Sequence, residues 1–281
     1  MTSLTATTRS TFTPRLPRLR AIVALVRRDF LIRASYRAML VLDLVIGLLD
    51  VLIYYFISET FQGAATASLG AAPTYFAFAL VGIAVTTVVS ATSGGIAMRV
   101  REEQLTGTLE ALVTQPVTTL EMSIGMCGLP FLLASFRVGL YLLLGGALLG
   151  VDFSNADWVG LLVVLTATGT AMSSIGIVTA AAVVVVKRGY TIAAVIVFGL
   201  GLLGGAFFPI AVLPDWLEPI GKVVPLRFAF DGLRQALYVG SGWETEALVL
   251  IVITLTAIPM AVWLFSRAIL YGRRSGSLSQ Y

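Results

Sequence analysis

The sequence predicts an all-α integral membrane protein, and two observations carry that expectation. Charged residues make up 12% of the 281 positions and hydrophobic residues 58%, whereas a soluble domain carries about 25% charged residues. The apolar residues are also gathered into runs near the ~20 residues that a helix needs to cross a bilayer. Six such runs stand out: Met39 to Ile57, Tyr75 to Ala97, Ile124 to Gly150, Val159 to Val186, Thr191 to Phe208, and Ala247 to Leu270. The long fourth run has length to spare for tilting or for extending past the bilayer. Its boundary with the fifth is the basic turn Lys187-Arg188-Gly189. The chain thus divides into an N-terminal tail and interface helix (1–38), a six-span transmembrane domain (39–270) and a C-terminal tail (271–281).

The segment before the first span is the most basic in the chain. Met1 to Thr13 is Ser/Thr-rich and reads as disordered. After Pro14 and Pro17, the residues Leu19, Ile22, Val23, Val26 and Phe30 recur at helical spacing, with Arg20, Arg27, Arg28 and Arg37 beside them. This pattern reads as an amphipathic helix lying on the inner leaflet before the first span, in preference to a simple positive anchor. Arg27-Arg28-Asp29-Phe30-Leu31 looks like a twin-arginine export signal. The segment after it, however, is a full-length span holding Asp43 and Asp50, with no small-residue cleavage motif.

Orientation follows from the basic residues of the loops. With a cytoplasmic N-terminus, that side holds the eight arginines from Arg9 to Arg37, then Arg99, Arg101, Lys187, Arg188, Arg267, Arg273 and Arg274. The other side holds Lys222, Arg227 and Arg234. Both termini are therefore expected in the cytoplasm. The net charge of +4 follows this topology and gives no sign of nucleic-acid binding. Of the 19 basic residues 17 are Arg, a bias that hints at a GC-rich bacterial genome.

The composition also excludes chemistry. There is one cysteine, Cys127, and no histidine. A single thiol rules out an internal disulfide framework. The absence of histidine removes the commonest general base and metal ligand. An intramembrane hydrolase would want a nucleophile with a base beside it, and Cys127 lies in the apolar, Gly-rich setting Gly125-Met126-Cys127-Gly128.

Three regions are not ordinary spans. Arg99 to Leu120 is the one sizeable loop on the expected cytoplasmic side. Leu105, Leu109 and Leu112 stand four and three apart there, an apolar stripe for a short helix that ends before Pro116. Glu102, Glu103 and Glu110 are its polar neighbours. By physics alone the pattern suits a helix that docks in a groove and a solvated connector equally well.

The second region lies between the fifth and sixth runs. Gly204-Gly205-Ala206-Phe207-Phe208-Pro209 leads to Leu213-Pro214-Asp215-Trp216-Leu217, then to Pro225-Leu226-Arg227-Phe228-Ala229-Phe230-Asp231-Gly232-Leu233-Arg234. Pro209 is expected to end or kink the fifth span. Pro214 opens a new turn, and Trp216 suits the headgroup level. Leu226, Phe230 and Leu233 repeat at helical spacing. Two short helices dipping back into the outer leaflet would satisfy the pattern, as would two amphipathic helices on its surface.

The third feature is charge inside spans. Asp43 and Asp50 are seven residues apart and share a face of the first span, and Arg137 sits near the middle of the third. A lone charge at mid-bilayer costs ~2.5–3.5 kcal/mol on insertion scales. Asp50 and Arg137, at similar counted depth, are the expected ion pair, or both face a hydrated path. Gly146-x-x-x-Gly150 and Gly201-x-x-x-Gly205 add small-residue motifs of the kind that let helices approach closely.

Two of these regions carry a family resemblance. Glu103, Gly107-Thr108-Leu109-Glu110, Leu112, Thr114 and Pro116 resemble the coupling-helix region of the type-2 ABC permeases, with Gln115 loosening the end. Phe208-Pro209, Leu213-Pro214 with Trp216-Leu217, Pro225-Leu226, Asp231 and Leu233-Arg234 resemble their external segment. The resemblance covers roughly residues 20 to 270.

It implies that Glu102, Glu103, Gly107, Thr108, Leu109 and Glu110 contact an ATP-binding subunit. It also implies that the external segment, with Phe208, Pro209, Pro214, Trp216, Pro225, Asp231 and Arg234, forms re-entrant helices closing the outer end of a pathway. No Gly-x-x-x-x-Gly-Lys-Ser/Thr loop is present, so ATP and Mg are expected in the partner subunit, and this chain is expected to bind no cofactor. The implied assembly pairs two permease chains, as a homodimer, with two ATPase chains in the lipid of a bacterial inner membrane. The expected activity is export of an amphipathic small molecule of drug, antibiotic or lipid type. The alternatives are export of a lipid-linked polysaccharide and, further off, ion-coupled transport using Asp43 and Asp50.

Overall fold

The computed structural model describes residues 18–60, 69–115, 117–186 and 189–275, and among them the regular structure is all helical. The N-terminal tail, Pro116, the Lys187-Arg188 turn and the end of the C-terminal tail lie outside the described residues. In chain order the helices are α1 (Leu19–Ser35), α2 (Arg37–Thr60), α3 (Tyr75–Val89), α4 (Gly95–Leu105), α5 (Leu109–Thr114), α6 (Thr119–Ala147), α7 (Trp158–Val186), α8 (Gly189–Leu203), α9 (Glu218–Val223), α10 (Pro225–Arg234) and α11 (Trp243–Ser275). A π-helical segment, Ser90–Gly94, joins α3 to α4 without a break in the rod, and another, Gln235–Val239, follows α10.

Among the described residues, five rods are long and apolar enough to cross a membrane: α2, the joined α3 and α4, α6, α7 and α11. The chain is therefore a multi-pass membrane protein. The fifth apolar run behaves differently. It was expected to reach Phe208, but α8 stops at Leu203 after 15 residues, a length of about 22 Å at the helical rise. The cause is a glycine cap. Gly205 adopts φ +88°, its N–H bonds the Leu202 carbonyl, and the Ala206 N–H reaches back to Gly201, the paired bonds of a Schellman ending. Pro209 comes after this stop and leads into a 3-10 turn, Ile210–Val212. The small-residue motifs are corrected in the same way. Gly150, at φ +73°, and Gly205 both lie past the ends of their helices, so neither motif presents a two-glycine helix face.

In a bilayer the hydrophobic effect gives little drive between helices, so packing and hydrogen bonds hold the bundle. The largest helix contact runs between α7 and α11. Two buried clusters result. One centres on α3, α6, α7 and α10, with Phe76, Leu80, Tyr141, Phe230, Leu233 and Leu250. The other lies at the basic end, where α1, α4, α5, α6, α7 and α11 bring Leu25, Ile96, Val100, Leu112, Met122 and Phe265 together. Helix α2 is the least buried of the long rods: Val51, its one buried residue, joins the first cluster, with Leu48, Tyr54 and Tyr55 packed against it.

The π segment sits between the clusters. Its misaligned backbone is answered by side chains: the Thr92 hydroxyl donates to the Val88 carbonyl at 2.9 Å and the Ser93 hydroxyl to Val89 at 2.5 Å. Hydroxyl bonds of this kind let irregular backbone persist at membrane depth.

Candidate functional site

The loop after α4 is a helical corner, and its residues divide into an inner and an outer set. α4 ends at Leu105, Gly107 turns the chain with φ +71°, and α5 leaves in a new direction. A left-handed residue at a helix end is a glycine position. The expected stripe of Leu105, Leu109 and Leu112 is thereby broken. Leu112 is buried in the basic-end cluster, whereas Leu105 is 61% exposed on the far side of the turn. The side chains of Leu109 and Glu110 lie outside the described residues. Thr106, Gly107, Thr108 and Glu102 are exposed beside Leu105.

Glu103 faces inward. Its carboxylate pairs with Arg28 at 2.7 Å and accepts a short hydrogen bond from the Thr108 hydroxyl. Arg28 also contacts Asp29 at 3.1 Å. Asp29 is buried, 1% exposed, and its other oxygen lies 3.3 Å from Arg99. That second contact is off the line of any N–H, so it is charge attraction without an aligned hydrogen bond. Arg99 continues to Glu102 at 3.5 Å. The result is a chain of alternating charges that fastens α1 to α4.

A second tie holds the start of α1. Thr118 and Glu121 form a capping box at the head of α6, with the Glu121 N–H on the Thr118 hydroxyl at 3.2 Å and the Thr118 N–H on the Glu121 carboxylate at 2.6 Å. The other Glu121 oxygen accepts the Arg18 N–H at 2.5 Å. Helix α1 thus lies flat against α6, with Leu25 over Gly125 and Val26 over Gly128. Leu19, Val23 and Phe30 are turned outward, so the expected apolar stripe is shared between the outside and α6. Sequence reading placed neither Asp29 nor Glu121. The Thr-x-x-Glu spacing signals the second, and an acid inside an otherwise basic helix was the available sign of the first.

The intramembrane charges lie together. Asp43, Asp50 and Arg137 line one cavity of about 770 Å3 between α2, α3, the π segment and α6. The ion pair, however, joins Arg137 to Asp43 at 2.8 Å, and the expected partner Asp50 is left aside. Arg33, at the end of α1, stands at the same cavity. Burial lowers its pKa, and the nearby Arg99 charge lowers it further. A second cavity of about 500 Å3, walled by Val89, Val197, Phe198, Leu202 and Leu226, shares Thr86, Ser90 and Phe207 with the first.

At the opposite end α9 and α10 pack into the bundle. Leu226, Phe230 and Leu233 are all buried, as their spacing required. Pro225 occupies the first turn of α10, where its missing N–H costs nothing. Pro214 accepts from the Leu217 and Glu218 amides at 2.8 and 3.1 Å, closing the turn it opens. Trp216 is exposed, Phe208 and Pro209 half-buried.

Arg234 is the anchor of this end. Its Nη2 donates to the Gly205 carbonyl at 2.8 Å, with Phe78 and Ala206 carbonyls at 3.4 and 3.5 Å. Its guanidinium lies 3.5 Å over the Phe78 ring. Asp231 is 3.7 Å from it and accepts from Arg227 at 3.1 Å. Gly82 completes the contact: a Cβ there would stand 2.0 Å from the Ala206 carbonyl. Burial pushes Arg234 down to about 10, which leaves it charged at neutral pH.

Long apolar rods, an outward corner braced from within and a packed cap at the other end are the parts of a membrane permease. The profile of the ABC-2 type transporter family matches residues 20–238, and the chain belongs to that family. Its members are transmembrane permeases, not ATPases, and typically work with an ABC ATPase partner. No curated protein matches the chain.

Proposed function

We propose that the chain is the permease subunit of an ABC exporter, in which two copies form the path for an amphipathic small molecule and a separate subunit hydrolyses ATP. The observation that carries this reading is the corner at Gly107. Glu103 is consumed by the brace to α1, so Leu105, Thr106, Gly107 and Thr108, with Glu102 at the exposed edge of the brace, are offered outward on a rigid base. With Leu109 and Glu110 on the first turn of α5, they form the docking surface for the ATPase. Glu103 serves that surface from behind, as a positioning residue. ATP and Mg belong to the partner, and this chain binds no cofactor and no nucleic acid.

In this reading α8 is the sixth crossing, its short length completed by the glycine-capped turn. Helices α9 and α10 are the re-entrant pair of the outer leaflet. Phe208, Pro209, Pro214, Trp216, Pro225, Asp231 and Arg234 then shape the outer gate. Both termini face the cytoplasm of a bacterial cell, and α1 rests on the inner leaflet. The polar cavity and its apolar neighbour suit a substrate with a polar head and an apolar body.

The test is purification of the tagged full chain from its host in mild detergent, with mass spectrometry of what accompanies it. An ABC ATPase in stoichiometric amount, lost on Leu105→Asp or Thr106→Arg while the permease stays monodisperse, is the expected result. A well-folded chain that brings no ATPase would overturn the reading and make ion-coupled transport the next hypothesis.

A further inference from the structure

Asp43, Gly47, Asp50 and Tyr54 follow one another at spacings of four, three and four, so they form a single stripe along α2, and that stripe is one wall of the 770 Å3 cavity. Its two carboxylates are in different states. Asp43 is paired with Arg137 at 2.8 Å. Asp50, among the described residues, makes neither a hydrogen bond nor an ion pair. An acidic group inside a membrane protein faces a partner or a hydrated cavity and marks a functional site by default.

The surroundings of Asp50 show what kind of ligand could meet it. Tyr54, Tyr141 and Phe207 line the same cavity, and the Tyr54 and Phe207 rings stack with centroids 4.9 Å apart. Tyr141 reaches across to α2 at Gly47. Rings around a carboxylate favour a cation, which gains from their faces as well as from the charge. Thr86, Thr87 and Ser90 contribute neutral hydroxyls. The cavity's other cations do not compete on equal terms: Arg137 is held by Asp43, and Arg33 belongs to the basic end, where α1 stops. The apolar cavity of about 500 Å3 opens across the shared residues Thr86, Ser90 and Phe207.

We infer that Asp50 is the recognition carboxylate for the cationic head of an amphipathic substrate, whose apolar body occupies the neighbouring cavity. The inference rests on the permease reading and narrows it to a substrate class, amphipathic amines or quaternary cations. An anionic amphipath would bring its head against Asp50, while the cavity's cation outside the Asp43 pair, Arg33, stands at the basic end where α1 stops.

The experiment is equilibrium binding of radiolabelled tetraphenylphosphonium to the full chain in lipid nanodiscs, with tetraphenylborate as the anion of the same shape. The wild-type chain should bind the phosphonium saturably, and rhodamine 6G should displace it where the borate does not. Asp50→Asn should weaken binding at least about tenfold, and Asp50→Glu should stay within about threefold. Should the Asn variant not fold, the Glu variant and the cation–anion comparison on the wild type decide alone.

Three results would each overturn the inference: no saturable phosphonium binding, equal competition by the borate, or unchanged affinity in a monodisperse Asn variant. Co-purification of the ATPase separates the two readings. Retained ATPase with charge-blind binding removes the cation site and leaves the permease standing, whereas loss of the ATPase from the wild type removes the permease reading itself.

Discussion

The two ends of the bundle solve the same problem with opposite chemistry. Each must hold a bent connection rigidly against long helices, and each uses buried arginine. At the basic end Arg28 and Arg99 meet carboxylates, Asp29, Glu102 and Glu103, supplied by α1 and α4. At the other end Arg234 meets backbone carbonyls freed where α8 stops, together with an aromatic face. Charge answered by charge depends on sign and little on shape. Charge answered by dipoles in fixed positions depends on the planar fork of the guanidinium. The basic end holds a surface that must move as a unit with α1 if it is to be driven from outside. The other end locks α10 to α3 and to the end of α8.

The hardest blow to the brace is removal of its shared anion. Asp29→Ala leaves Arg28 and Arg99 facing each other with Asp29's position vacant. Breaking a buried pair in this way costs about 3–5 kcal/mol. Detergent-solubilised Asp29→Ala should lose most of its monodisperse fraction, and Asp29→Asn should be intermediate. A variant as stable as the wild type would mean that α1 is held by Glu121 and the Leu25 contact alone.

A single substitution made at both ends tests the contrast itself. Lysine keeps the charge and discards the fork. Arg99→Lys should cost under about 1 kcal/mol, because its contacts to Asp29 and Glu102, at 3.3 and 3.5 Å, are loose attractions that a point charge reproduces. Arg234→Lys should cost about 2 kcal/mol, because the Gly205 carbonyl is left short of its donor and the stack over Phe78 is lost. Thermal unfolding of the two variants in one detergent measures both. Equal losses would erase the distinction drawn between the two ends.

Much of this architecture was legible in the sequence, and the failures have physical causes. Apolar runs located the long rods because only helices of about that length cross a bilayer. The Leu226, Phe230 and Leu233 repeat marked the buried face of α10 correctly. Gly205 was read as a packing glycine because spacing alone does not reveal a positive φ. The corner at Gly107 was missed for the same reason, so one stripe was drawn where two helices meet. Arg137 was assigned to Asp50 by counting residues from the ends of the apolar runs. α6 in fact starts at Thr119, ahead of its apolar run, and side chains lean toward a helix N-terminus. That lean carries the Arg137 head toward the basic end, where Asp43 lies. The buried Asp29 has no signature that a periodicity scan would register, since what buries it is its pairing with Arg28 beside it and with Arg99 on another helix.

The smallest effect is expected from a third kind of anchor, a half-buried carboxylate answered by N–H groups, at the same end as Arg234. Asp157 accepts the Val159 and Gly160 amides at 2.9 and 3.1 Å, capping α7, and the Trp243 indole N–H at 3.0 Å, which ties in the start of α11. The Gly160 bond foremost, then those from Trp243 and Val159, hold its carboxyl below the usual range. A depressed carboxyl pKa adds stability above the unfolded value, about 3.9, and loses it as pH falls through the folded one. Asp157→Asn keeps an acceptor and removes the charge. The variant should therefore melt slightly below the wild type from pH 7 down to about pH 5, and the gap should narrow once pH falls below the unfolded value of about 3.9. A gap of the same size at both extremes would assign the difference to the geometry of the amide and leave no share for the charge. In that case Asp157 would stand with Arg234, an anchor set by shape, in contrast to the chain of alternating charges at the basic end.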